Sequence, residues 1–418
     1  MPTHPAGIAR PQGIAWRNAV FVVFTLAGIA IATWVSRLPA ARDALDIGPA
    51  QVGALVFGIA AGSIVGLIAS SHVVARIGAR AMITWGMIVA ALGLAVAGLG
   101  VTVGPSFAVA FGGLVVFGLA AGMTDVAMNV SGAANERVLG RAIMPIFHAF
   151  FSFGTMLGAG LGALAELFGV PIAVHIGIVG LVMIAATLAV SRSFQSELLL
   201  AHGAADEPTR QEASTWRERL RIWADPRTLL IGLLVLGAAF AEGSANDWLA
   251  IAMVDGHGVS NATGALVFGI FVTAMTVGRL AGVFLLDRFG RVPVLRGSFL
   301  LAAAGLLIVI FVPSSGIAIV GAVLWGLGSA LGFPVGMSAA ADDPRTAAAR
   351  VSAVATIGYF AFLVGPPVIG LLGEHLGVLH ALLVTLVLVG IGIFVAGAAR
   401  APRTEPVSID TFDDPALQ

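Results

Sequence analysis

Asp125 and Asn129 stand one helical turn apart inside a long apolar run, and Glu242 and Asn246 repeat that pairing of carboxylate and amide inside another. At a spacing of four residues, both members of each pair share a helix face. An ionisable group deep in a membrane span is costly and normally faces the bundle interior or an aqueous cavity. Both carboxylates are therefore candidates to load and release a proton, and the amides to bond the hydroxyls of a polar solute. The plainer reading of Asp125 and Asn129 is interhelical hydrogen bonding that knits their span to its neighbours. Asp247 and Trp248 follow directly. They read either as cavity groups or as a wet acid beside an interface anchor.

At 1.5 Å per residue, Asp125 lies about 20 residues into its run, in the third of the membrane on the amino-terminal side, and Glu242 lies roughly 21 Å along its run, near mid-depth. His148 begins the next run at a depth that would let it approach Asp125. An imidazole there suits a proton relay, or simply packs. Arg37 and Pro39 close the first run, where Arg37 reads as a gate onto an acid such as Asp247 or as a loop charge. Arg279 sits two turns inside a run's end, placed to snorkel or to pair with a carboxylate. Tyr359 is the single tyrosine, and Pro366-Pro367 follow it. Those prolines mark a hinge or broken helix, or serve packing alone. Glu166 and Glu374 read as polar groups at helix ends.

A second constellation is a loop. Gly278 and Gly282 precede Asp287-Arg288-Phe289-Gly290-Arg291. An acid and two arginines at a helix junction can pair with neighbouring helix ends and part again, so the loop reads as a conformational latch or as ordinary loop charge. Its counterpart, Ala75-Arg76-Ile77-Gly78-Ala79-Arg80, lacks the acid, so an acidic partner is expected only in the second half.

The elements that carry these groups are membrane helices. Hydrophobic residues make up 58% of the 418 and charged ones 11%, against about 25% charge in a soluble chain. That length accommodates roughly twelve spans of about 20 apolar residues. They are expected at 16–36, 50–71, 81–101, 106–133, 143–168 and 171–191, then 228–254, 261–286, 294–312, 316–340, 351–372 and 378–399. The domains follow as a six-helix bundle over 1–191, a polar linker over 192–226 with an amphipathic run from Ser214 to Trp223, a second bundle over 227–399 and a tail over 400–418. Met1 to Ala15 has no cleavable signal pattern, so the first span is expected to be retained. All 22 basic residues are arginine: 19 fall on the amino-terminal side, Arg37 and Arg42 on the other, and Arg279 inside a span. This asymmetry places both termini in the cytoplasm.

The two halves are related. At a shift of 208, Gly113, Gly118, Arg137, Gly162, Glu166 and Gly169 fall on Gly321, Gly326, Arg345, Gly370, Glu374 and Gly377. At 212, Gly66, Arg76 and Gly78 fall on Gly278, Arg288 and Gly290. The polar groups are not shared, since Asp125, Asn129 and His148 land on Phe333, Met337 and Thr356. Repeated halves of apolar helices are the signature of a secondary transporter whose solute site lies between them near mid-membrane.

The loop at Asp287 resembles the signature of the major facilitator superfamily. Further pieces are Trp34-Val35-Ser36-Arg37-Leu38-Pro39, Asp125-Val126-Ala127-Met128-Asn129, Glu136-Arg137, Phe147-His148, Glu242-Gly243 and Asn246-Asp247-Trp248. Together they look like a bacterial inner-membrane branch related to the fucose–proton symporters, over roughly residues 16–399. The resemblance implies an all-α fold of two pseudo-symmetric six-helix bundles. It implies proton coupling at Asp125, with Asn129 at the family's asparagine. It departs from the fucose symporter in the first span, where Thr25 to Ser36 holds no acid.

The expected function is alternating-access transport of a small polar organic solute, sugar-like or a metabolite, coupled to protons through Asp125, Glu242 and His148. Trp34, Asn129, Asn246, Asp247 and Trp248 are expected to contact the solute. Arg37, Gly278, Asp287, Arg288, Gly290 and Arg291 are expected to gate. Proton-driven export of drugs or metabolites is the alternative within the class, and a non-transporting solute sensor the alternative outside it. Without lysine there is no phosphate-binding Gly-x-x-x-x-Gly-Lys loop, and without cysteine no disulfide or thiolate chemistry. No catalytic group, metal or cofactor is expected. The partners are the solute, protons and the lipid bilayer, with no nucleic acid, for a monomer in the bacterial inner membrane.

Overall fold

A computed structural model describes residues 9–141, 143–195, 221–343 and 346–400. The amphipathic run up to residue 220, most of the linker, Arg345 and the tail beyond Arg400 lie outside the described residues.

The first half comprises α1 (Arg10–Val35), α2 (Leu38–Leu45), α3 (Pro49–Thr102), α4 (Phe107–Leu139), α5 (Met144–Leu167) and α6 (Ile172–Ser191). The second comprises α7 (Pro226–His257), α8 (Asn261–Phe289), α9 (Arg291–Phe311), α10 (Ser315–Ser329), α11 (Gly332–Ala340), α12 (Ala347–Leu376), α13 (Val378–Ala381) and α14 (Leu383–Val395). Eleven helical stretches are long and apolar enough to cross a membrane. One of them, α3, has 54 residues, more than twice the length needed to cross ~30 Å of hydrocarbon at about 1.5 Å per residue. It therefore crosses twice, giving twelve spans.

The repeated glycines explain themselves in this frame. Gly78, where α3 turns, has φ 78° and ψ 159°, and Gly290, between α8 and α9, has φ 76° and ψ 171°. A side chain is disfavoured in that conformation, so the loop between second and third spans needs glycine in both halves. Helix crossings repeat too. A Cβ on Gly118 of α4 would overlap the carbonyl of Ile59, and one on Gly326 of α10 would crowd the carbonyl of Phe271, the equivalent residue. Small residues let these backbones touch, which is how membrane helices pack without a hydrophobic drive between them.

Polar side chains tie helices within each half. The Trp16 indole donates to Ser131 Oγ at 2.8 Å and the Asn135 amide to the Gly13 carbonyl at 2.9 Å, joining α1 to α4. Ser244 and Thr385 hydroxyls meet at 2.7 Å between α7 and α14. Between halves, α3 packs on α12 and α5 on α8.

Three expectations change here. The tenth span is not one helix: it stops at Ser329 and restarts at Gly332. Pro334 lacks the N–H that would reach the Ala330 carbonyl, and at the break Ala330 and Leu331 pack so close to Gly278 and Gly282 of α8 that a Cβ on either glycine would clash. Pro366-Pro367 do not break the eleventh span, since α12 is helical through both. A short helix, α2, lies outside the expected spans, beyond the Ser36-Arg37 turn.

Candidate functional site

Between the halves, α1, α5, α7 and α8 enclose a cavity of about 190 Å³. Its polar wall is Glu242 and Asn246 on α7, Arg279 on α8, and Ser152 and Thr155 on α5; Ile31, Val35, Phe151, Phe268, Val272 and Met275 supply the apolar remainder. Glu242 lies midway along α7, where one turn separates it from Asn246. Arg279 Nη2 donates to both Glu242 oxygens at 3.1 Å. Of the two readings open for Arg279, pairing with a carboxylate is the one adopted. The pair answers its burial cost internally, since each charge in a membrane interior needs a partner or water.

Asp125 is elsewhere. On α4 its carboxylate accepts from Asn129 Nδ2 at 3.3 Å, and the same amide donates to the Asp125 carbonyl at 2.8 Å. Asp125 is accessible and lies within electrostatic range of Tyr359 on α12 of the other half. His148 is not brought to Asp125. Its ring stands edge-on to Phe24, with centroids 5.2 Å apart.

The other expected solute contacts separate. Trp34 and Trp248 are fully buried, and neither lines the cavity. Trp248 is therefore not an interface anchor; its ring packs against Gly370 of α12. Asp247 is part-buried and also lies off the cavity wall. Arg37 does not meet Asp247. Its Nε lies 3.1 Å from Glu166 Oε2, and its Nη2 donates to the Val170 carbonyl at 2.8 Å. This pairing is internal to the first half, because Arg37 leaves α1 at the end where α5 finishes.

The end that carries α2 joins the halves. Arg42 pairs with Asp255, Asn261 Nδ2 donates to Asp43 at 3.0 Å, and the Ala50 amide donates to Glu374 at 3.2 Å. Glu166 and Glu374 are thus paired groups, correcting their reading as simple helix-end polarity. At the end carrying the termini, Asp342 receives Arg291 Nη1 at 2.7 Å and Arg227 Nη2 at 2.9 Å. The acid that meets the loop arginine is accordingly Asp342, beyond α11, rather than Asp287. Arg288 instead lies over the Phe289 ring at 5.6 Å.

A profile of the Major Facilitator Superfamily matches residues 242–413. An uncharacterised MFS-type transporter of Yersinia pestis is 31% identical over 363 residues, covering 87% of this chain and 90% of the relative. The chain belongs to the major facilitator superfamily. Among solved members of similar fold, a bacterial homologue of the lysosomal transporter Spinster, inward-facing and unoccupied, superposes with a TM-score of 0.72 at 14% identity, covering 95% of this chain and 100% of that one. The Escherichia coli fucose:proton symporter superposes at 0.60 with 17% identity, covering 94% and 100%.

Within this superfamily frame, sequence reasoning passed over two groups. Asp342 was hidden because a carboxylate between two spans looks like any loop charge. Tyr359 stands out in the sequence only as its single tyrosine, while its neighbourhood with Asp125 depends on how α4 and α12 face each other. A charge ringed by apolar residues was the available signal for the Arg279 and Glu242 pair, but not for its partner choice.

Proposed function

We propose that this transporter moves a small polar organic solute, sugar-like or a metabolite, by alternating access, with protons as the coupling ion. The observation that carries the reading is the ion pair of Glu242 and Arg279, with Asn246 beside it, in the wall of a cavity between the halves. A permanently buried pair has no use for a cavity; a pair on a cavity wall can exchange partners with a solute. The volume of about 190 Å³ is below the several hundred typical of drug-sized sites, which favours a small metabolite over bulky drugs. Asp125 supports the proton assignment. It is a carboxylate in a span with an amide and, among the described residues, no cation against it, and it faces the seam that alternating access must open and close. The joined α2 end and accessible Asp125 correspond to a state open toward the termini, which the arginine asymmetry assigns to the cytoplasm of a bacterial inner membrane.

The test is flux in liposomes. Solute uptake is expected to rise with an imposed proton gradient, and Asp125→Asn to remove that dependence while solute still binds. Gradient-driven uptake unchanged in the variant would refute Asp125 as the coupling group.

A further inference from the structure

We propose that the solute bears a carboxylate, which Arg279 binds in competition with Glu242. The inference rests on the transport reading above and narrows its substrate class.

The guanidinium is incompletely used. A single nitrogen, Nη2, reaches both Glu242 oxygens, with the Met275 sulfur 3.7 Å away. Among the described residues, Nε and Nη1 have no hydrogen-bond acceptor, and neither is a buried orphan; the side chain is 35% exposed. Arginine presents a planar fork that matches two carboxylate oxygens side by side. Both paired edges of the group include Nη2, so a carboxylate bound side by side takes Nη2 over from Glu242 while Nε or Nη1 supplies the second N–H. Glu242 is the opposite case: both its oxygens are engaged by Arg279 and its side chain is 20% exposed. The free valence of the site is cationic, so an anion gains more from entering than an amine does.

From the opposite half the cavity wall receives Ile31, Ala32, Val35, Phe151, Ser152 and Thr155, none of them charged, so that wall neither competes for Arg279 nor repels an anion. Asn246 bonds a second polar group of the same solute, and Phe151 and Phe268 cover its apolar face. Glu242, released from Arg279, is left as the free acid of the pair.

The test uses the purified full-length chain in detergent and matched compounds that differ in one group. These are D-glucuronate, D-glucose and D-glucosamine; lactate, glycerol and 2-aminopropanol; and benzoate, benzyl alcohol and benzylamine. The carboxylate member of at least one set is expected to raise the melting temperature, and its neutral and amine partners to bind about tenfold more weakly or not at all. Arg279→Gln removes the preference. Glu242→Gln strengthens carboxylate binding, because the internal competitor is gone; should that variant fail to fold, the ranking in the native chain decides alone. A neutral or amine compound ranking first in every set that binds, or no carboxylate raising the melting temperature, overturns the proposal. Liposome flux separates the two claims. A carboxylate that binds with the expected ranking and is not transported upholds the site and refutes the transport reading, whereas proton-driven flux of a neutral solute refutes the site and upholds transport.

Discussion

At the α2 end, polar contacts cross from one half to the other, whereas at the end carrying the termini the ion pairs among the described residues stay inside the second half. Arg42 with Asp255, Asp43 with Asn261 and Glu374 with the Ala50 amide do the crossing. Asp342 with Arg227 and Arg291, and Asp225 with Arg350, do not. The crossing contacts are few and partly exposed, each worth on the order of 0–1 kcal/mol. Contacts of that size suit a surface that must separate during a cycle. Close glycine contacts lie within the halves, at Gly118 and Gly326, and also across them, where a Cβ on Gly53 or Gly370 would meet the Pro366 or Pro49 carbonyl. The α2 end is where the crossing polar contacts hold one state.

The largest effect expected is from locking that end. The chain has no cysteine, so Arg42→Cys with Asp255→Cys and a bifunctional thiol reagent joins only the intended pair. Transport should fall to background after cross-linking and return when a cleavable linker is cut. Full flux in the cross-linked protein would mean that the α2 end does not open, and the comparison of the two ends would lose its mechanical meaning.

Glu166 and Glu374 indicate how far the sequence could be read. They are equivalents in the repeat, and their shared position at helix ends was legible. Their use was not: Glu166 turns to Arg37 in its own half, and Glu374 to a backbone amide of the other. Repeat arithmetic fixes a residue's place on its helix, while its partner depends on what the neighbouring half presents. The same division runs through the site. Apolar run lengths set the spans, because span length is a property of one segment meeting lipid. Glu242 and Asn246 share a wall as their spacing required. Asp125 and His148 were joined by depth alone, and depth does not state which way a helix face turns. The break at Ala330 had a local signal in Pro334, concealed by a continuous apolar run.

A smaller effect is expected from the network at the termini. The Asp342 side chain is 8% exposed and holds two arginines. Asp342→Asn should lower stability by about 1–3 kcal/mol, the range for losing hydrogen bonds to a charged group, read as a lower unfolding midpoint in detergent. Because its contacts are internal to one half, labelling of Ser260→Cys at the opposite end should not change. Increased labelling would make Asp342 part of the latch that holds the halves together, and the contrast between the ends would dissolve.

The smallest effect belongs to Asp225, at the start of α7 just beyond the linker. Its carboxylate caps the helix, receiving the Thr228 amide at 3.0 Å and hydroxyl at 2.7 Å, with Arg350 3.4 Å away. Burial alone would push its pKa up, but the Thr228 hydrogen bonds and the Arg350 charge outweigh it and hold the group below the usual carboxylate range. A carboxylate depressed in the folded state stabilises it above the unfolded pKa of about 4, and that contribution disappears as pH falls through the folded value. Asp225→Ala should cost about 1 kcal/mol at neutral pH, as for the loss of a helix cap. Unfolding of both proteins between neutral pH and acid should then converge, the gap closing below pH ~4. A gap that stays constant through that range would mean that Asp225 acts by shape alone, with no ionic share in anchoring the first helix of the second half.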